Sequence, residues 1–317
     1  MLDFVHNDPE FKDLLSIVSA KKGLDITLVE KDYWIMHTLY SLKQQGIEFE
    51  LKGGTSLSKG YRLIHRFSED IDIHIRTNFG LLIEGNEDKT HIKKARKEFY
   101  DVLAKSISIH GIDEIIRDYE FDDTNKYRSG GIRLKYKSYT PTLQGLKDGI
   151  LLEAGFDTVT PNRPIDISSW VIEHLISINA QKNYINNTAI GVLCYHPGYT
   201  LIEKIQTIVR KYRNKDKPGG ANDINFMRQY YDIYCLLDDP EIQEFIGSHE
   251  YLIHKAKRIK GEDRLIALHD HPALLLNDSE IKKSFKKRYV STSKLYYNGQ
   301  PDFEELLKRI AQFLPRL

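Results

Sequence analysis

The sequence predicts an α/β protein of the α+β kind, in which a small mixed sheet flanked by helices is followed by a mainly helical C-terminal domain. Three observations lead there. Apolar residues recur at helical spacing through 8–22 and 26–46. From residue 49 the period changes to short alternating or continuous apolar runs. Beyond Pro161-Asn162-Arg163-Pro164 the helical spacing returns and dominates. A chain of 317 residues also exceeds the size at which one hydrophobic core usually stops growing, so two domains are expected, 1–163 and 164–317.

In chain order, Ile26, Val29, Tyr33, Trp34, Met36, Leu39 and Leu42 form the apolar stripe of the second helix. Phe49-Glu50-Leu51-Lys52 then runs as a strand into Gly53-Gly54, a short helix follows near 56–65, and Ile71 to Ile75 alternates as a second strand. Residues 88–110, with Ile92, Ala95, Phe99, Leu103 and Ile107 in phase, read as a helix with one solvated basic face. Strands are expected at 131–139 and 149–157, between turn-rich segments, and at 189–195. Helices are expected at 199–213 and 222–238, separated by the loop 214–220, and an amphipathic helix near 302–314 closes the pattern. There is no internal repeat, low-complexity tract or heptad array.

Composition narrows the class. The 41% hydrophobic and 29% charged fractions are those of a soluble globular chain, and no uncharged apolar run approaches the roughly 20 residues of a membrane span. The segment MLDFVHNDPEFKDLL lacks a basic-then-apolar leader pattern, which predicts a cytoplasmic protein with no membrane partner. Cys194 and Cys235 are too few for a disulfide framework or a thiolate metal site. With 46 basic and 45 acidic residues the net charge of +1 neither favours nor excludes a nucleic-acid partner, and the 19 tyrosines are mostly packing residues.

The chemistry concentrates in LKGGTSLSKGYRLIHRFSEDIDIHI, residues 51–75. Side chains alternate across a strand, so Asp70, Asp72 and His74 share one face while Ile71, Ile73 and Ile75 share the other. Two convergent carboxylates repel each other unless a cation neutralises them, and an oxygen-preferring divalent ion such as Mg2+ does so while also taking triphosphate oxygens as ligands. Just upstream, Gly53 and Gly54 let the backbone approach a ligand closely. Amides at the start of the following helix can face phosphates, with the hydroxyl of Thr55 adding a hydrogen bond.

The order Gly-Gly-Thr, short helix, Asp-x-Asp resembles the signature of the DNA polymerase β-like nucleotidyltransferase superfamily, and KGGTSLSKGY with RFSEDIDI looks like its AbiEii toxin branch. The resemblance implies a magnesium-dependent nucleotidyltransferase that uses a nucleoside triphosphate. It implies the toxin half of a bacterial toxin–antitoxin or phage-defence pair, with a cognate antitoxin as partner. It places a nucleotidyltransferase domain in 1–163 and has the helical domain contribute Lys204 and Asp232 to the site. It also implies a third acidic ligand on a neighbouring strand, for which Glu153 in Gly149-Ile-Leu-Leu-Glu-Ala-Gly155 is the candidate and Asp157, on the same strand face, the rival. Thr200-Leu-Ile-Glu-Lys204 and Arg228-Gln-Tyr-Tyr-Asp232 resemble the family's Glu-Lys helix and Arg-x-x-x-Asp helix. On that likeness Asp70, Asp72, Lys204 and Asp232 are catalytic, Asp70, Asp72 and Glu153 bind the metal, and Gly53, Gly54, Thr55, Lys59 and Lys204 hold the nucleotide.

The acceptor is absent from the motif; the end of a transfer RNA, another RNA or a protein hydroxyl all remain open. Basic runs at 93–97, 210–217 and 282–288 are possible RNA contacts or plain solvated helix faces, and the run at 210–217 begins about two turns after Lys204. No histidine pair sits with a third ligand at zinc spacing. Two rival readings are an antibiotic-type nucleotidyltransferase acting on a small hydroxylated molecule and a catalytically idle nucleotide- or RNA-binding module.

Overall fold

Strand alternation organises the sheet. In the computed structural model, which describes residues 2–317 except 144, 158 and 218, Ile71, Ile73 and Ile75 are buried while Asp70, Asp72 and His74 lie half-buried on the opposite face. The chain forms two compact units. One runs to Tyr61 and resumes from Phe67 to Tyr195; the other joins Arg62–Arg66 to His196–Leu317.

The first unit contains α1 (Phe11–Lys22), α2 (Ile26–Gln44), β1 (Phe49–Lys52), α3 (Gly53–Thr55), β2 (Asp70–Ile75), α4 (Thr90–Ser106), β3 (Ile112–Asp118), β4 (Ser129–Tyr136), β5 (Ile150–Gly155), β6 (Asn162–Ile167), α5 (Trp170–Ser177) and β7 (Ala189–Tyr195). Its sheet is ordered β3-β4-β5-β2-β1-β7-β6. Pairings β2–β5 and β1–β7 are parallel and the others antiparallel, which makes the sheet mixed, as expected. The interior strand β5 is almost continuously apolar, as a strand covered on both faces must be. Helix α2 is buried along nearly its whole length, opened by the Asp25 side chain capping the Thr27 amide.

The second unit holds α6 (Pro197–Arg213), α7 (Arg228–Leu236), α8 (Pro240–Phe245), α9 (His249–Arg258), α10 (Pro272–Leu275), α11 (Ser279–Ser291) and α12 (Phe303–Phe313). It is helical, as the spacing predicted. Residues 62–66 enter it through an antiparallel bridge between Arg66 and Tyr296 and a bond from the Tyr297 amide to the His65 carbonyl.

The chain divides at Tyr195 rather than at 163, because β6 runs through the proline-rich break and β7 follows it in the same sheet. Strand β6 contains Pro164, which cannot donate to a ladder, and it occupies a sheet edge where that costs nothing. The helix read at 88–110 stops at Ser106, and β3 follows in a stretch that carried no strand expectation. At the other sheet edge its residues are half-buried or exposed and its sequence IDEIIRD has no clean period. The short helix read at 56–65 is instead α3 continued as a π turn over Ser56–Gly60. Among the described residues no helix is long and apolar enough to cross a membrane.

Candidate active site

Three carboxylates meet on the half-open face of the sheet in the first unit. Asp70 and Asp72 stand two residues apart on β2, and Glu153 on β5 is the register partner of Asp72. Glu153 is half-buried, and its carboxyl is pushed up to about 8, first by burial and then by the charges of Asp72 and Asp70, against the opposing pull of Lys147 and Lys52. Asp157 lies beyond the end of β5, and its carbonyl accepts a hydrogen bond from Nδ1 of His74 at 2.8 Å. Glu153, not Asp157, is therefore the residue set against Asp72.

The glycine turn serves this cluster directly. Gly53 has φ +71°, and a Cβ there would come within 2.2 Å of Asp72 Oδ2. Only glycine lets the backbone turn so close to that carboxylate. Thr55 is fully buried, and its hydroxyl donates to the Asp70 carbonyl at 2.6 Å. That bond ties the turn to β2 and commits the proton that sequence reasoning had offered to a phosphate. The helical stretch after Gly53 spans eight residues and is widened in its second half, so its dipole is shorter than a regular helix would provide.

Lys59 was expected among the nucleotide-binding residues; its ammonium lies 2.9 Å from Asp32 Oδ1 and 4.7 Å from the centre of the Trp170 ring. Asp32 also accepts from the Trp170 amide at 2.7 Å. Burial raises the Asp32 carboxyl and Lys59 counteracts it, so this lysine stabilises the packing of α2 against α5.

Lys147 carried no role in the sequence reading. Its ammonium donates to both Asp70 oxygens, at 2.9 and 2.8 Å. Behind it, Glu69 accepts from the Lys147 amide at 2.9 Å and stands 3.4 Å from the buried Lys31 ammonium, which in turn donates to the Lys147 carbonyl. No local signal could have revealed this, because Lys147 sits in an irregular glycine-flanked loop and its partners are 77 and 116 residues away.

In the second unit, Lys204 on α6 reaches Asp232 Oδ2 on α7 at 2.6 Å. Arg66 closes the other side with two 2.6 Å bonds, Nε to Oδ1 and an NH2 to Oδ2. Asp232 is wholly buried; burial alone would raise its carboxyl, but Arg66 and then Lys204 outweigh it and hold it below its ordinary value. Arg66 was part of the recognised RFSEDIDI segment, yet its pairing with Asp232 spans 166 residues and has no local signature.

Some residues of each basic run have acidic partners within their own units. Lys211 pairs with Asp223 at 3.2 Å, Arg213 with Asp263 at 3.2 Å and also with Glu262, and Lys282 and Lys286 pair with Glu304 and Asp302. Arg96 turns inward and donates to the Ile83 carbonyl.

Glu153 sets a pH dependence of stability in the absence of divalent cation. A carboxyl whose folded value is raised binds more protons folded than unfolded, so stability falls as pH rises from about 4.5 toward 8. Glu153→Gln removes that term. The variant is expected to gain about 1–3 kcal/mol over the parent at pH 8 and nothing at pH 4, measured by denaturant unfolding at both pH values.

Comparison with protein families agrees with the motif. The family model described as nucleotidyl transferase AbiEii toxin, type IV toxin–antitoxin system, matches residues 34–309. No curated protein matches the chain. A solved structure titled an antigenic nucleotidyltransferase-like protein from Paracoccidioides brasiliensis is 15% identical over 88% of this chain and 93% of that chain, with a TM-score of 0.34, too low to bear on fold or chemistry. The family match spans most of both units, so the chain belongs to the AbiEii family of nucleotidyltransferase toxins.

Proposed function

We propose that this nucleotidyltransferase is magnesium-dependent and moves a nucleoside monophosphate from a triphosphate onto an RNA or protein acceptor. It acts in the cytoplasm as the toxin of a bacterial toxin–antitoxin or phage-defence pair, restrained by a cognate antitoxin. The observation that carries the reading is the convergence of Asp70, Asp72 and Glu153 on adjacent strands, with Gly53 backed against the Asp72 carboxylate.

The donor set fits magnesium. It is all oxygen, it is crowded enough to raise Glu153, and the Gly53 turn lets the Asp72 carboxylate sit where a side chain at that position would stand. Among the described residues no group of three or more His, Cys, Asp or Glu side chains is placed to hold a metal ion by itself, so the reading relies on one or two carboxylates together with substrate phosphates and water. When bound, magnesium would polarise the α-phosphate and favour deprotonation of the attacking hydroxyl.

The chain's own residues do the rest. Asp70 and Asp72, with Glu153 completing the acidic wall, would hold the magnesium, and the Gly53-Gly54 backbone approaches the triphosphate. Thr55 keeps the glycine turn fixed to β2 through the Asp70 carbonyl. Lys204 would contact phosphate oxygens as a point charge, its orientation set by Asp232, as the family likeness suggests. The attacking hydroxyl oxygen bonds to the α-phosphorus, the bond to the β-phosphate bridging oxygen breaks, and pyrophosphate leaves.

Incubation of the protein with each of the four labelled triphosphates, magnesium and total cellular RNA and protein tests the proposal. Labelled RNA or protein with at least one triphosphate is expected; labelling of small hydroxylated molecules alone would redirect the acceptor, and labelling of nothing would sink the proposal. Gly53→Ala should press its methyl into Asp72 and strain a left-handed backbone. It is expected to lose about 1–3 kcal/mol of stability and about a hundredfold in transfer rate, read by thermal unfolding and by label incorporation.

A further inference from the structure

Lys147 is held in place more firmly than a loop lysine needs to be. Its segment, between Gly145 and Gly149, is pinned at three points: the Lys147 amide to Glu69, the Lys147 carbonyl to Lys31, and the Asp148 carbonyl to NH1 of Arg133 at 3.0 Å. Lys31 and Glu69 are themselves buried, 2% exposed each, and paired. Burying such a pair carries a desolvation cost, and what it provides in return is a fixed geometry. Here the geometry is the approach of one ammonium to both oxygens of Asp70, with its flank over the Phe121 ring at 4.7 Å. The guanidinium of Arg133 is spent on Asp118 and the Asp148 carbonyl, and Lys147 is the cation that this scaffold holds against Asp70.

We infer that Lys147 is a positioning residue of the nucleotidyl-transfer site: its ammonium occupies the cation position at Asp70 until a divalent ion displaces it. The inference rests on the assignment of Asp70 and Asp72 as metal ligands. The ammonium, at 2.9 and 2.8 Å from the two oxygens, takes the chelating side of the Asp70 carboxylate, so it competes with an ion that binds through both oxygens. A resident internal cation keeps the acidic wall from repelling itself apart between turnovers, and it sets a threshold that metal arriving with triphosphate must exceed. Once displaced, the lysine is left beside the position of the incoming phosphates.

The test is Mn2+ binding to the full chain without nucleotide, followed through the electron paramagnetic resonance of free Mn2+, for the parent, Lys147→Met, Lys147→Arg and Asp72→Ala. Removing a cation in direct contact with the carboxylate should tighten Mn2+ binding by about tenfold in Lys147→Met, while Lys147→Arg restores the parent affinity. Thermal unfolding confirms that each variant is folded. Equal or weaker binding by Lys147→Met, or a Lys147→Arg variant that behaves like Lys147→Met, overturns the inference while leaving the metal assignment intact. If neither the parent nor Lys147→Met binds Mn2+, or the parent binds it as well as Asp72→Ala does, the metal assignment itself fails and the inference falls with it.

Discussion

Asp72→Ala is expected to reduce nucleotide transfer by about a thousandfold or more, a loss of about 4 kcal/mol of transition-state stabilisation. Asp72 is the residue on which the site converges: it faces Glu153 across β2 and β5, it lies against the Gly53 turn, and it shares its strand face with Asp70. Removing it leaves two carboxylates and no close ligand at the turn. The fold should not suffer, because Asp72 belongs to a cluster of like charges whose repulsion is relieved by its removal. The expected signature is thus an inactive protein that unfolds at or above the parent temperature without divalent cation and gains no stability when magnesium is added, whereas the parent gains some by mass action. An exposed acid on β3, Asp113, is the control: Asp113→Ala should keep both activity and the magnesium response. Parent-level transfer by Asp72→Ala would refute the assignment.

Asp232→Ala should behave in the opposite manner. Here one fully buried carboxylate satisfies two buried cations, Arg66 through a two-bond fork and Lys204 through a single contact. Deleting it strands both charges, and breaking a buried pair by removing one partner costs about 3–5 kcal/mol. The effect is readable as a large fall in unfolding temperature even where no nucleotide is present. Asp232→Asn should recover little, since a neutral amide cannot accept from both cations through charged oxygens. The pH dependence has the reverse sign from that of Glu153. The folded carboxyl of Asp232 is held below its ordinary value, so its stabilisation is complete above that value and is lost as pH falls through the folded one. The parent should therefore lose part of its margin over Asp232→Ala in acid. A variant as stable as the parent at pH 7 would show that the triad contributes nothing to the fold.

How legible these features were depended on the range of the forces behind them. The alternation of Asp70, Ile71, Asp72, Ile73, His74 and Ile75 is a local consequence of strand geometry, and the structure reproduces it residue by residue. The helical spacing of α2, α6 and α12 likewise located those helices to within a few residues. Misreadings fell where the local signal was weak or contrary. Strand β6 carries a proline that an edge position tolerates, and β3 has no clean period because it is an edge strand.

The roles of Lys147, Lys31, Glu69 and Arg66 could not be read locally. Each is defined by a partner between 38 and 166 residues away, and a charge in a loop looks the same in sequence whether it meets water or a buried carboxylate. The glycine turn shows both levels at one position. Gly53-Gly54 announced a close approach in the sequence alone. The tertiary structure decided that the group brought close is the Asp72 carboxylate, because glycine's missing Cβ specifies free space but not what fills it. The same holds for the acidic cluster: the chain sequence determined which carboxylates share a strand face, while the pairing of β2 with β5 set Glu153 opposite Asp72, since strand register is set by packing across the sheet.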